Sequence, residues 1–551
     1  MSNKPITARV PSGLYSKLED YFASSGSSKT DVVIPAFTSY LKSSDELPLV
    51  KRVPQIRVEF YAMKAMVERD ENMGQVDRIT NMINNKYSAM LRLYKIFILV
   101  ATVAIFVLFP TILSAQGIQE QVLPNISEAS SNVSLEDAVN NLWVLVAGIL
   151  VLMMQLGFAM LEAGFSAAKN TVNVLFKNVA DACVGIIVYF AFGYAFMYRP
   201  ENCQSINIIP RIFGIGISYL GLNSELCSRQ GAEHLSLYID FFFQAAFAAT
   251  AATICSGAVA GRIKPWAYLL LTFLITGLVY PVSGYWAWGG GWLGQWGFHN
   301  FAGSVVVHGV GGGAALAIVN ILKSRIGKFS REPIPKEEAT QLLPHSLPLA
   351  AMGTFILWIG WYGFNAGSTL GIAGVSSPDE VGKIVVNTTI SACSSACTAI
   401  VYRKLRKSRI DLSTVLNGLL GGLVGITASC DVVSPFQSLI IGVFAGLVVI
   451  MGINWLYEQK IDDAVGAIPV HFFCGIWGGL ATGFFTDMDN LKQIVGSLFI
   501  PAWSFIAIWL CFKIINSIFG IRVEAEEEKS GLDWQEHGEY AYLSLEKKEK
   551  V

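Results

Sequence analysis

The chain has 551 residues, of which 53% are hydrophobic and 15% charged, with a mean hydropathy of +0.48. That excludes an ordinary soluble globular protein, because so apolar a composition with repeated long apolar runs needs lipid as part of its solvent. The net charge of −1 selects no class of partner, and the nine cysteines include no C-x-x-C metal pattern.

Residues 1–50 read as a separate small unit. Ile6-Thr-Ala-Arg-Val10 alternates apolar and polar as a strand does, and Pro11 ends it. Ser12 caps a helix running to about Ser25, and Gly26 breaks it. Ser28 caps a second helix with Val32, Val33, Ile34, Phe37 and Leu41 on its apolar side. This β-α-α order resembles the ribbon-helix-helix family of small DNA-binding dimers, and the resemblance gives Thr7 and Arg9 the base-reading positions of the strand. Pro35 departs from the pattern, and few basic residues surround the strand. The unit therefore reads as an oligomerisation module, with DNA binding by residues 1–50 as the weaker alternative. Residues 51–93 read as a polar helical linker.

Apolar runs of spanning length then follow at 94–113, 142–164, 180–198, 237–260, 265–287, 302–323, 347–366, 383–402, 413–429, 435–457, 464–486 and 493–519, twelve in all. The weakest is the short, glycine-rich 413–429. The first, 94–113, lies too far from the start for a signal peptide and reads as a retained anchor. Lys and Arg concentrate in alternate loops: Lys169 and Lys177, Arg262 and Lys264, Lys323 to Arg331, and the dense run Arg403 to Arg409. The intervening segments 114–141, 288–301 and 427–434 carry none. This bias puts both termini in the cytoplasm and 114–141 and 199–236 outside. Cys203 and Cys227 share that outer loop and could pair there.

Two histidines lie deep in such spans, His308 in Ser304-Val-Val-Val-His-Gly-Val-Gly-Gly-Gly313 and His471 in Gly466-Ala-Ile-Pro-Val-His-Phe-Phe-Cys-Gly475. An imidazole at membrane depth is costly unless it is partnered or lines a cavity, so the pair points to a path across the membrane. The bland reading is two unrelated histidines hydrogen-bonded within a bundle. Trp288 ends a span at the outer side, as an interfacial belt residue or as a cation-binding ring. Ser368 ends another on the same side and could accept a hydrogen bond from an ammonium proton. There is no nucleophile–base set and no metal constellation, so an enzyme, a resident cofactor and a metal site are not expected.

The ordered segments Asn170-Thr-Val-Asn-Val-Leu-Phe-Lys-Asn178, Phe243-Gln-Ala-Ala-Phe247, Trp288-Gly-Gly-Gly291, Phe301-Ala-Gly-Ser-Val-Val-Val-His308, Trp361-Tyr-Gly-Phe-Asn-Ala-Gly-Ser368, Asp462-Asp-Ala-Val-Gly-Ala-Ile-Pro-Val-His471 and Gly531-Leu-Asp-Trp-Gln-Glu-His-Gly-Glu-Tyr540 resemble the Amt/Mep/Rh ammonium transporters. The resemblance implies an all-α polytopic membrane protein: an eleven-helix bundle with inverted repeats, here with one extra N-terminal transmembrane helix. Residues 142–520 would form the transporter domain, 114–141 an outer segment and 521–551 a cytoplasmic tail. It further implies a homotrimer in the plasma membrane, serving nitrogen uptake, with Trp288 and Ser368 as the outer ammonium site. Phe247 and Phe364 would be the stacked rings of the gate, and His308 and His471 the pore imidazoles. Trp288 with Ser368 fits the Amt branch. In bacterial relatives the tail couples subunits and helps a PII signalling protein block the pore.

The position eight before the first pore histidine is usually aspartate in this family, and here it is Asn300. Asparagine can cap a helix and offer a carbonyl oxygen but supplies no negative charge. Three readings stand open: a transporter of altered affinity, an ammonium sensor signalling through residues 1–93, and a non-conducting relative. Asp462 and Asp463, at a cytoplasmic loop edge, read as structural.

Overall fold

The computed structural model describes residues 134–198, 232, 234–329 and 342–542. The extension 1–93, the span 94–113 and the Cys203–Cys227 pairing lie outside these residues. The described part is all-helical. Among the described residues, ten helices are long and apolar enough to cross a membrane: α1 (Leu135–Phe165), α2 (Ala168–Met197), α3 (Leu237–Ala258), α4 (Pro265–Trp296), α5 (Ser304–Leu322), α6 (Leu347–Thr369), α7 (Pro378–Leu405), α9 (Pro435–Glu458), α10 (Ile468–Phe485) and α11 (Asn490–Phe519). The shorter α8 (Leu412–Ile426) falls where the weakest apolar run lies.

The starts of these helices follow local chemistry. Ser134 accepts from the Asp137 amide at the head of α1. Ser377 with Glu380, and Ser434 with Gln437, form capping boxes with proline at the first position of α7 and α9. Asp411 and Asp489 cap α8 and α11.

Burial sorts the helices. α5 is the most enclosed span and α11 the least. Leu142, Ile149 and Leu156 on α1, and Leu498, Ile506 and Ile514 on α11, are exposed large apolar side chains, as a lipid-facing surface requires. Small residues let the inner helices approach closely, as is usual where water supplies no driving force between helices.

The Lys/Arg-rich end is cross-braced. Arg325 grips Asp462 with two hydrogen bonds of 2.7 and 2.8 Å, tying the end of α5 to the loop before α10. Arg522 donates to the Leu322 and Ser324 carbonyls, and Arg262 Nε donates to the Lys323 carbonyl, so groups left unpaired at the end of α5 find donors. Beyond α11 the chain pairs with the turn after α3 through Ile263 and Arg522.

Candidate functional site

Five aromatic or imidazole rings from five helices form a column in the middle of the bundle. Phe247 of α3 stacks on Phe364 of α6 with ring centres 4.0 Å apart and 18° between planes. Phe364 lies 5.3 Å from His308 of α5, which lies 5.1 Å from His471 of α10. Phe158 of α1 follows at 6.0 Å from His471. All five are buried. The two imidazoles face each other Nδ1 to Nδ1 at 3.1 Å, so one of these nitrogens carries the shared proton and the other accepts it. Sequence reasoning missed two members of the site. Trp361 stacks on His308 at 5.0 Å and is held by its indole N–H donating to Thr427 Oγ1. Phe158 closes the far end. Trp361 sits three residues before Phe364, the spacing of one helix face, and that was the available signal.

The two histidines are placed by the same local device used twice. Eight residues before each stands a side chain that caps the coming segment: Asn300 Oδ1 accepts from Val305 and Val306, and Asp463 accepts from Val465, Gly466 and Ile468. Five residues before each stands a glycine of positive φ, Gly303 at 111° and Gly466 at 88°, a backbone that side chains rarely adopt. Each histidine then lies in a π-helical turn, Ser304–Gly309 or Ile468–Phe473, a widened turn that often marks functional positions. Four residues after each histidine comes a glycine pressed on the other segment. A Cβ on Gly475 would fall 2.5 Å from the Ser304 carbonyl oxygen, and one on Gly312 would collide with the Phe472 backbone. The pattern [Asn/Asp]-x2-Gly-x4-His-x3-Gly is therefore an internal repeat whose reciprocal contacts bring the imidazoles together.

Asn300 is buried, and of the two roles the sequence left open to its side-chain oxygen, helix cap and oxygen donor to a cation, it takes the cap. Its Oδ1 is turned to the two backbone amides, so the oxygen is not offered to a cation. Its Nδ2 is buried without a hydrogen-bond partner. Only an oxygen can accept from those amides, which fixes the amide's orientation. A donor therefore stands where a carboxylate would present its second oxygen. The Asn300 carbonyl accepts from Trp288 Nε1 at 2.8 Å, which anchors the indole. Ser368 Oγ donates to the Phe364 carbonyl at 2.8 Å, leaving its lone pairs available. No hydrogen bond joins Trp288 to Ser368. A carboxylate at this end, Asp431, pairs with His299 at 3.1 Å.

A family model for the Ammonium Transporter Family matches residues 142–542. The chain belongs to the ammonium transporter family. A Synechocystis protein provisionally described as an ammonium transporter is 49% identical over 75% of this chain and 91% of its own length. The ammonium transporter Amt2 of Archaeoglobus fulgidus is 40% identical over 73% and 88%. Among solved structures, a protein described as a sensor Amt protein aligns with a TM-score of 0.65 at 33% identity, over 73% of this chain and 99% of that one. Mep2 of Candida albicans aligns with a TM-score of 0.62 at 26% identity, over 75% and 92%. The family is one of membrane transporters rather than enzymes, and the multi-pass all-helical architecture agrees with the sequence reading.

Proposed function

We propose that the protein moves ammonium across the plasma membrane by recruiting the cation at Trp288 and Ser368, removing a proton, and passing ammonia through the ring column. The physical chemistry supports this division. A full charge in an apolar passage is expensive, whereas neutral ammonia is not. An indole face attracts a small cation, and Ser368 can accept one of its protons. The stacked Phe247 and Phe364 leave no room for a hydration shell, so a potassium ion, which has no proton to lose, is rejected. Beyond the gate, a neutral imidazole pair offers both a donor and an acceptor to a passing ammonia, and His308 Nε2 lacks a protein partner.

The observation that carries the proposal is the 3.1 Å Nδ1–Nδ1 pair stacked beneath the 4.0 Å phenyl pair. In this reading the termini are cytoplasmic and the subunit assembles as a homotrimer. The tail, from Asp533 to Tyr542, docks on its own subunit's Lys/Arg-rich end and is the segment through which a PII protein would act. The second reading, an ammonium sensor that conducts little, is favoured by one observation, the donor that Asn300 places near the outer site, and by the likeness to a protein described as a sensor. Ammonium-evoked current in liposomes separates the two: a native current altered by His308→Ala supports transport, and silence in the native protein with current in Asn300→Asp supports the sensor.

A further inference from the structure

The segment that carries Trp288 has no fixed charge of its own. Residues 288–301 contain no Lys, Arg, Asp or Glu, and Asn300 brings only an amide. A carboxylate reaches this segment from the turn between α8 and α9. Asp431 Oδ1 and Oδ2 lie 3.2 and 3.1 Å from His299 Nε2. A carboxylate only accepts, so this nitrogen carries a proton. The turn is also laced to the segment through backbone: the Phe301 and Ala302 amides donate to the Ala428 and Thr427 carbonyls, each at 3.0 Å. Thr427 is the residue whose hydroxyl holds the Trp361 indole, which stacks on His308. Asp431 therefore stands on a braced turn that joins the Trp288 end to the ring column.

Stability alone explains the pair poorly. Its side chains are 26% and 19% exposed, and partly exposed ion pairs contribute little. His299 is already held by other groups. Its ring lies along Phe301 with centres 6.5 Å apart and 19° between planes. Gln493 of α11, with its amide turned so that both atoms are paired, donates to the His299 carbonyl at 2.9 Å and accepts from the His299 amide at 2.8 Å. Nor is the carboxylate cancelled by a fixed cation. Among the described residues no Lys or Arg forms an ion pair with Asp431. Lys492, beside Gln493, pairs with Asp489 at 3.9 Å, and Lys383 of α7 acts on the neighbouring Cys430. With a neutral imidazole the pair keeps one full negative charge. His299 adjoins Asn300, whose carbonyl anchors the Trp288 indole at 2.8 Å.

We propose that Asp431, held by His299, supplies the negative field that draws ammonium to Trp288 and Ser368 in place of the charge that Asn300 does not bring. The inference rests on the transport reading above. Asp431 does not touch the cation in this account: it sets affinity through space, across water-accessible surface. A charge so placed acts over about 8–10 Å at physiological salt and is screened beyond that. Its effect is therefore smaller than the about tenfold expected of a carboxylate at position 300 itself, about twofold to fivefold in the ammonium concentration that half-saturates transport.

The test uses the full chain in liposomes at about pH 8, where imidazoles are ordinarily neutral, and reads current against ammonium concentration. Asp431→Asn keeps an acceptor for His299 and removes the charge. It should raise half-saturation about twofold to fivefold and leave the maximal current unchanged. The ratio of the two proteins should fall toward one as sodium chloride rises from about 10 mM to about 1 M, which shortens the Debye length from about 30 to about 3 Å. Competition by sodium would raise both values alike and leave their ratio as it was. Asn300→Asp added to Asp431→Asn should restore tight half-saturation. If Asp431→Asn does not assemble, His299→Lys, which sets a fixed cation against the carboxylate, should raise half-saturation by at least the same factor. Native half-saturation in either folded variant would overturn the inference, as would a ratio indifferent to salt, or a loss of maximal current with half-saturation unchanged. A silent native protein overturns the transport reading, and this inference with it; a native current with unaltered variants overturns this inference alone.

Discussion

In the proposed transport mechanism, Asn300 is the residue on which ammonium affinity turns. Its Oδ1 is fixed by the Val305 and Val306 amides, so aspartate at this position would keep the cap and put a carboxylate oxygen in place of the Nδ2 donor. Asn300→Asp should therefore strengthen ammonium binding at the outer site, by about tenfold if the new charge contributes about 1.4 kcal/mol. Half-saturation of the transport current checks this, and an unchanged or weakened value would show that the outer site does not feel position 300. Asn300→Ala removes the cap as well and should cost about 1 kcal/mol of stability, read as a lower unfolding temperature in detergent. The substitution itself was visible in the sequence from its spacing to Trp288 and His308. The direction in which its amide points was not, because that depends on which backbone amides a turn of positive φ presents.

At the scale of elements, the decisive feature is the reciprocal packing of α5 and α10. Gly312→Ala and Gly475→Ala each insert a methyl group into the opposing π-helical turn, which should force the histidines apart and cost about 1–3 kcal/mol. Loss of transport in a protein that still assembles would support this, and full activity would contradict it. The same helices are tied at their Lys/Arg-rich end by Asp462. Burial alone would push its carboxyl up, but hydrogen bonds and charge from Arg325, with the charge of Arg262, outweigh it and hold it well below the usual carboxylate range. A depressed carboxylate stabilises the fold above its ordinary titration range, and that contribution is lost as the pH falls through the folded value. Unfolding temperature should thus decline on acidification below about pH 4. Asp462→Asn breaks the two-pronged grip of Arg325 and removes the countercharge 4.0 Å from Arg262, which keeps its backbone acceptors, and should cost about 3–5 kcal/mol at neutral pH while flattening that decline. Every apolar run from 142 onward falls on a helix of the described residues, because a run of about twenty apolar residues matches the thickness of a bilayer. Helix ends depart from the runs by up to twelve residues, as at the start of α2, where polar and capping residues extend the helix beyond its apolar stretch. The π-helical turns were not, since a single inserted residue leaves hydrophobic periodicity almost unchanged. The repeated [Asn/Asp]-x2-Gly-x4-His-x3-Gly pattern was present in the sequence, but its meaning depended on seeing which backbone each glycine touches.

For the whole molecule, the tail is the element that joins distant parts of the chain. Asp533 accepts from the Asn173 amide at 2.9 Å, Asn170 accepts from the Leu532 amide at 2.9 Å, and Asn173 meets His537 at 3.0 Å. A residue far along the chain thus caps the start of α2, and no local pattern could have announced it. Asp533→Ala should release the tail at a cost of about 1 kcal/mol, seen as faster amide exchange in residues 531–542, and unchanged protection would show that other contacts hold it. The central claim, however, is conduction through the twin-histidine column, and the most direct measurement is the current that an ammonium pulse evokes in liposomes holding the native protein, with His308→Ala and Asn300→Asp beside it. The account predicts a native current, altered by His308→Ala and strengthened at low ammonium by Asn300→Asp. A silent native protein, or a current indifferent to His308→Ala, would contradict it.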